Sequence, residues 1–420
     1  MNLRGAVRQH GAAFVQIGFV SLLGIVATAG FQLVAVNGLG PAKFGLLASF
    51  LALINVVSVG SSALRNSVAV MAANSSVERA GARPRWDASL IEGVVLGVAC
   101  ALVIVVASPW LETSLATDFG AIMFTAAAAL PYFLFARAQG LLQGVGRSRS
   151  VVWWSTGAQL AQFLLAAVVV FLGGGPVGVV IVLLIVAVGG TVGASVQARG
   201  ISPGLYRRAF SADSSVVLAL TVLFAWLINA DVILVRAGVA PQVAGGYAAA
   251  EVVVKTLLIV PATLSLYLLP RFVGRRQDIS MTRLGVNVTL VVTLVSGAVM
   301  FVGVLLFGNW AIGILFPGSY DTAASLLPGL ALMWIPWAAA QGVLIRVTAS
   351  ASRSGVVVFV LAIPAQWILG RLILPDVGRF IAADGILGIL VLAGMLVIHL
   401  RASAALRPTV AGSSEPPVSP

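Results

Sequence analysis

The sequence predicts an all-α polytopic membrane protein, with about twelve transmembrane helices in two six-helix bundles related by a parallel repeat. Three observations carry that reading. Hydrophobic residues make up 60% of the 420-residue chain and charged residues only 9%, a balance that belongs to membrane proteins. The apolar stretches have the length of roughly 20 residues that crosses a bilayer. The chain also repeats itself. Gly40-Pro41-Ala42-Lys43-Phe44-Gly45-Leu46-Leu47-Ala48 follows the first apolar stretch, and Ala240-Pro241-Gln242-Val243-Ala244-Gly245-Gly246-Tyr247-Ala248 follows the seventh.

In chain order, spans are expected at 12–36, 43–64, 88–108, 118–142, 151–172, 176–198, 214–238, 245–270, 283–308, 320–345, 355–375 and 380–400. The first is too long for a removed signal peptide and lacks a small-residue cleavage site. The longest loop, 65–87, leaves no scaffold for a soluble catalytic domain. An even number of spans per half starts both halves from the same side, so the repeat is parallel. The expected division is an N-terminal bundle over 1–205, a C-terminal bundle over 206–402 and a Pro- and Ser-rich, disordered cytoplasmic tail over 403–420. A second echo supports it: Gln139-Gly140 and Gln341-Gly342 each precede a short basic turn, at 147–150 and 352–354.

The net charge of +12 is sorted by side. Twenty arginines, among them Arg4, Arg8, Arg79, Arg147, Arg199, Arg275, Arg353 and Arg401, fall in alternate loops and at the two ends, while the other side keeps Lys43, Arg236, Arg371 and Arg379. This is the positive-inside pattern, and it puts both termini in the cytoplasm. No basic stripe with interleaved aromatics suggests a nucleic-acid partner. Cys100, the single cysteine, lies mid-span and excludes both an internal disulfide and a cysteine metal cluster. There is no Walker A sequence, and His10 and His399 stand far apart. The sequence therefore predicts no enzyme, no cofactor and no metal, and an ATP-driven pump would need a separate subunit.

Charges inside spans point to function, because each costs roughly 2.5–3.5 kcal/mol at a helix centre. Asp231 in the seventh span and Glu251 and Lys255 in the eighth form one such group. Glu251 and Lys255 are four residues apart and share a helix face. At ~1.5 Å rise per residue, Asp231 and Glu251 lie roughly 10 Å below the outer surface and Lys255 nearer mid-depth. An Asp231–Lys255–Glu251 network has two readings: an ion or substrate path in which a carboxylate exchanges a proton or cation, or a self-neutralising pair that fixes helix register. Asn229 adds a hydrogen-bonding group beside it.

Arg65, at the end of the second span, is placed either to contact phosphate at the cytoplasmic mouth or simply to obey the charge rule. Arg137, Gln139 and Gln143 are read as one face near the inner end of the fourth span. The intramembrane amides, Gln159, Gln162, Gln341 and Gln366 among them, suit sugar hydroxyls or helix–helix hydrogen bonds alike. Pro131, Pro261 and Pro336 interrupt apolar spans and are hinge candidates, Pro131 and Pro336 in equivalent helices. Gly93 and Gly97 fit a small-residue packing pattern whose expected role is internal.

Several of these segments resemble a known family. Ala225-Trp226-Leu227-Ile228-Asn229-Ala230-Asp231-Val232-Ile233-Leu234-Val235, then Ala244 to Glu251, Pro261 and Leu269-Pro270, are similar to the seventh and eighth helices of polysaccharide-biosynthesis flippases. Gly40 to Gly45 and Gln139 to Arg147 resemble the same family, which belongs with multidrug and toxin extruders and lipid II flippases in the multidrug/oligosaccharidyl-lipid/polysaccharide exporter superfamily. The resemblance implies two bundles around a V-shaped cavity that alternates between the two sides of a bacterial inner membrane. It implies a polyprenyl-pyrophosphate-linked oligosaccharide as cargo, moved from the inner to the outer leaflet. Membrane lipids and glycan-assembly proteins, namely glycosyltransferases and a polymerase, are the partners it implies. Lipid II flippases carry several cations in their first two helices, whereas here the first span has none and Arg65 ends the second. A cation-coupled drug or metabolite extruder and a non-transporting scaffold for glycan assembly are the alternatives. A major-facilitator transporter ranks lower, because loop 65–87 lacks that family's Asp-Arg-x-Gly-Arg signature.

Overall fold

In a bilayer the backbone must pair its polar groups within each segment, so long apolar runs become helices. A computed structural model describes residues 3–75, 88–201, 212–258, 279–316, 320–350 and 352–405. The first half forms α1 (Leu3–Leu39), α2 (Pro41–Ser75), α3 (Ala88–Val106), α4 (Ser108–Leu115), α5 (Phe119–Gly144), α6 (Ser148–Phe171) and α7 (Pro176–Gln197). The second forms α8 (Ala212–Gly238), α9 (Pro241–Val254), a 3₁₀ turn (Lys255–Leu258), α10 (Ile279–Leu315), α11 (Asp321–Ala349), α12 (Arg353–Ile373) and α13 (Val377–Ala405). Eleven helices among the described residues are long and apolar enough to cross a membrane. The expected boundary near 205 and the tail from 406 onward lie outside the described residues.

Two elements differ from expectation. The eighth span, expected as one helix over 245–270, is α-helical to Val254 and tightens into the 3₁₀ turn at Lys255–Leu258, and its remainder, 259–270, lies outside the described residues. Pro261 stands three residues beyond Leu258, and a proline withholds the amide that would close a helical bond to residue 257. The other difference is α4, a short helix that begins at Ser108-Pro109, where a connection was expected. Proline is well placed in a first helical turn, where its missing N–H costs nothing.

Within the first bundle α2 packs on α5, α1 on α6, and α5 on α3 and α7. Within the second, α11 packs on α9, α10 and α13, and α12 on α8 and α13. Gly97 closes on the backbone of Leu130 in α5, so the Gly93/Gly97 pattern serves internal packing as expected. The bundles meet through α2 against α8 and α9. The seam joins the two repeated sequences. A Cβ on Gly45 would stand 2.8 Å from the Gly245 nitrogen, and one on Gly245 would overlap the Pro41 carbonyl. Only glycine permits backbones to come this close.

Further contacts lock the same end of the molecule, here termed the Pro41/Pro241 end. The Tyr320 hydroxyl donates to the Val36 carbonyl at 2.7 Å, and Asn37 Nδ2 donates to the Leu315 carbonyl at 3.0 Å. Burial pushes the Tyr320 pKa well above its ordinary value, so the hydroxyl remains a donor. Arg236 is buried and donates to the Leu115 carbonyl of α4 at 3.3 Å. The Pro41/Pro241 end is thus closed, and the arginine-rich basic end lies opposite.

Closure through glycine has a direct test. Replacing Gly245 with Leu forces the bundles apart, since overpacking costs about 1–3 kcal/mol. Ser49, one turn below Gly45 and fully buried, serves as reporter when changed to cysteine in a Cys100→Ser background. Its labelling by a water-soluble maleimide is expected to rise roughly fivefold or more with Gly245→Leu.

Candidate functional site

The structure sorts the sequence-predicted residues into two groups, one in each bundle. The tight turn between α8 and α9 sets those helices antiparallel, which brings the intramembrane charges together. Tyr247 donates to Asp231 Oδ2 at 2.7 Å. Lys255 forms an ion pair with Glu251 one turn earlier. Its ammonium also donates to Asn229 Oδ1 at 3.4 Å and lies 4.9 Å from the centre of the Trp334 ring. Glu251 interacts with Asp231 as well. The expected network therefore exists, with Asn229 and Glu251 as the links to Lys255. Asn55 of α2 donates to the same Asn229 oxygen at 3.4 Å, so the cluster touches the opposite bundle.

Sequence reasoning missed a third carboxylate. Asp384 of α13 accepts from Trp337 Nε1 at 3.1 Å and Gln366 Nε2 at 2.9 Å, and it lies within electrostatic range of Asp231 and Lys255. The same Gln366 amide donates to the Leu227 carbonyl at 3.0 Å, tying α12 to α8. Asp231, Glu251 and Asp384 are 1%, 3% and 2% exposed. A charged residue inside the expected span 380–400 was the signal that marks Asp384. Tyr247 and Trp334 carry no comparable signal, because aromatic residues are common in apolar spans. Among the described residues, no group of three His, Cys, Asp or Glu side chains is placed to hold a metal ion.

The second group lies at the basic end of the first bundle. Arg65 and Gln143 line a cavity of about 420 Å³ together with Ser21, Ser155, Thr156 and Gln159. The Arg65 Nε is buried and has no hydrogen-bond partner among the described residues. Gln139 lies behind this wall and donates to Ser155 Oγ at 3.0 Å. Gly24 of α1 leaves the room that the Gln159 amide occupies.

Arg137 does not join Gln139 and Gln143. Its Nε donates to Ser89 Oγ of α3 at 3.0 Å, away from the cavity. The expectation of a single face is corrected by helical geometry: residues two apart are about 200° apart around a helix, whereas residues four apart nearly eclipse. Of the hinge candidates, Pro131 lies inside α5 and Pro336 inside α11, both continuous helices. Pro261 lies outside the described residues.

The chain matches no family model and no curated protein sequence. Solved structures with the same fold do match. An inward-facing multidrug resistance MATE transporter of the MOP superfamily aligns with a TM-score of 0.70 at 13% identity, over 92% of this chain and 96% of that one. The lipid II flippase MurJ in an inward closed conformation aligns at 0.67 and 13%, over 93% and 91%. An outward-facing MATE transporter aligns at 0.61 and 14%, over 94% and 96%. The fold is therefore the two-bundle helical fold of these transporters.

The ion pair, with its buried Glu251 and partly exposed Lys255, makes a measurable prediction. Lys255→Met strands Glu251 and is expected to destabilise the protein by about 3–5 kcal/mol. Adding Glu251→Gln to Lys255→Met is expected to recover most of that loss, read from thermal unfolding in detergent. Equal destabilisation by the single and double variants would show that the pair is not coupled.

Proposed function

We propose that the chain is an inner-membrane flippase that moves a polyprenyl-pyrophosphate-linked oligosaccharide from the cytoplasmic to the outer leaflet by alternating access. The observation that carries this reading is the Arg65 cavity. Arg65 lines a space walled by amides and hydroxyls, and its buried Nε has no hydrogen-bond partner among the described residues. That chemistry suits a phosphate joined to sugars: the cation holds the anion, and the neutral groups hydrogen-bond the hydroxyls. By the charge rule the basic end faces the cytoplasm, where such lipids are assembled, and both termini lie there. The closed Pro41/Pro241 end then faces outward, and the molecule is in an inward-facing state. The higher TM-score against the inward-facing MATE transporter, 0.70 against 0.61 for the outward-facing one, supports that assignment.

The C-terminal cluster supplies the drive in this reading. Three buried carboxyls lie beside the partly exposed Lys255, so full ionisation would leave net negative charge in a low-dielectric interior. A proton taken up by this cluster would relieve that repulsion. Its release toward the other side would repel the carboxylates and alter the Lys255–Asn229–Asn55 link to α2. In this scheme Pro131 and Pro336 flex α5 and α11 as the cavity changes sides. Bundle units 1–205 and 206–402 move as the two arms. Glycosyltransferases and a polymerase are the protein partners that would make and use the cargo.

The same acid excess favours a second reading, a cation-coupled multidrug or metabolite extruder, because three carboxyls would accept an organic cation. The two readings separate in proteoliposomes. A flippase is expected to expose a labelled polyprenyl-pyrophosphate oligosaccharide to an externally added lectin, with the rate reduced at least tenfold by Arg65→Ala. Glu251→Gln is expected to remove the dependence on a proton gradient. Gradient-driven uptake of cationic dyes, with no lectin-accessible saccharide, would reverse the ranking.

A further inference from the structure

The helix α6 has two working faces at one depth. On one face Val151, Ser155, Thr156 and Gln159 line the Arg65 cavity. On the other, Trp153, Gly157, Ala158 and Leu165 line an apolar groove of about 540 Å³, completed by Ile185 and Gly189 of α7. We infer that this groove seats the isoprenoid chain of the lipid whose phosphate end reaches Arg65, with the lipid bent around the first turn of α6. The inference rests on the flippase reading and adds to it where the tail is held.

The groove is built rather than incidental. Trp154 acts as a wedge near its basic end: the indole ring lies against α7 at Gly193, where a Cβ would collide with it. The indole N–H donates to Gln197 Oε1 at 2.6 Å, and Gln197 Nε2 donates to Ser150 Oγ at 3.2 Å. These bonds pin the wedge between the two helices. Beyond it, nothing lies within 4 Å of the positions where Cβ atoms on Gly157 and Gly189 would stand. The floor is therefore open and apolar, as a hydrocarbon chain requires.

Proximity to the Arg65 cavity, across the width of α6, selects the occupant. A chain attached to a phosphate in that cavity must leave it toward lipid. On the α1 side, Thr156 Oγ1 donates to the Val20 carbonyl at 3.0 Å and Gly30 receives the Phe163 ring, so α1 and α6 are in contact at these two points. The turn at Arg147, Ser148 and Arg149 is exposed. A helix is only about 10–12 Å across, so a pyrophosphate and a few isoprene units span the detour. The groove opens on the far side of that turn, beside the 48% exposed Trp153.

The test is binding of a long-chain polyprenyl pyrophosphate to the purified full chain, measured by native mass spectrometry with phosphatidylglycerol as competitor and inorganic pyrophosphate as the head alone. Gly157→Phe and Gly189→Phe fill the groove, and Leu372→Phe on exposed α12 is the control. The groove variants are expected to weaken polyprenyl pyrophosphate at least tenfold and leave inorganic pyrophosphate unchanged, while Arg65→Ala weakens both. Wild-type affinity in both groove variants, or equal displacement by phosphatidylglycerol, would overturn the groove and leave the flippase reading standing. Wild-type protein that binds neither probe would overturn the flippase reading itself. Folding of the variants is bypassed by a second measurement: a bromine-labelled polyprenyl chain is expected to quench the wild-type fluorescence, with that component lost in Trp153→Phe. No quenching at saturating lipid would contradict the proposal.

Discussion

The crossing of two backbones at Gly45 and Gly245 is the constraint from which the rest of the arrangement follows. Lipid supplies no hydrophobic drive for helix association, so two bundles must be held by close packing and a few hydrogen bonds. Here the repeated Pro-x-x-x-Gly segments provide that packing, one from each half, with Pro41 lying over Gly245. Everything that closes this end builds on the crossing: Tyr320 on Val36, Asn37 on Leu315, and Arg236 on Leu115. A seam made of glycine and single hydrogen bonds also separates at modest cost, which suits the alternating access proposed above.

Below the seam the two bundles carry different chemistry. The C-terminal bundle concentrates ionisable groups in its interior, where the mutual attraction of Lys255 and Glu251 offsets part of the desolvation of each. Asn229 joins that pair to Asn55 of α2, so the change in protonation proposed for one bundle would act on the helix at the centre of the other. In the N-terminal bundle the Arg65 guanidinium lines a cavity among neutral groups. Division of labour between an energy-coupling half and a cargo-holding half is the physical content of the proposed mechanism.

Much of the fold was legible in the sequence, because bilayer thickness sets the length of each apolar run. The pairing of Asp231, Glu251 and Lys255 was legible too, since a short turn and a four-residue spacing leave little freedom. What escaped had specific causes. Arg137 was grouped with Gln139 although two residues turn a helix through about 200°, and the structure sends it to Ser89. The break at Lys255 follows from a proline in the following sequence, whose effect on the preceding turn depends on what the freed backbone finds. Asp384 needed only the rule that an acid inside a span has a purpose. Tyr247, Trp334 and the α6–α7 groove depend on three-dimensional packing, for which apolar sequence offers no register.

The central claim is that the cargo is a lipid-linked saccharide. Mass spectrometry of polyprenyl-linked sugars from cells depleted of this protein tests it most directly. The account predicts accumulation of one completed lipid-linked oligosaccharide, confined to the inner leaflet and cleared when the protein is restored. An unchanged lipid-linked pool, in cells shown to lack the protein and any redundant flippase, would contradict it.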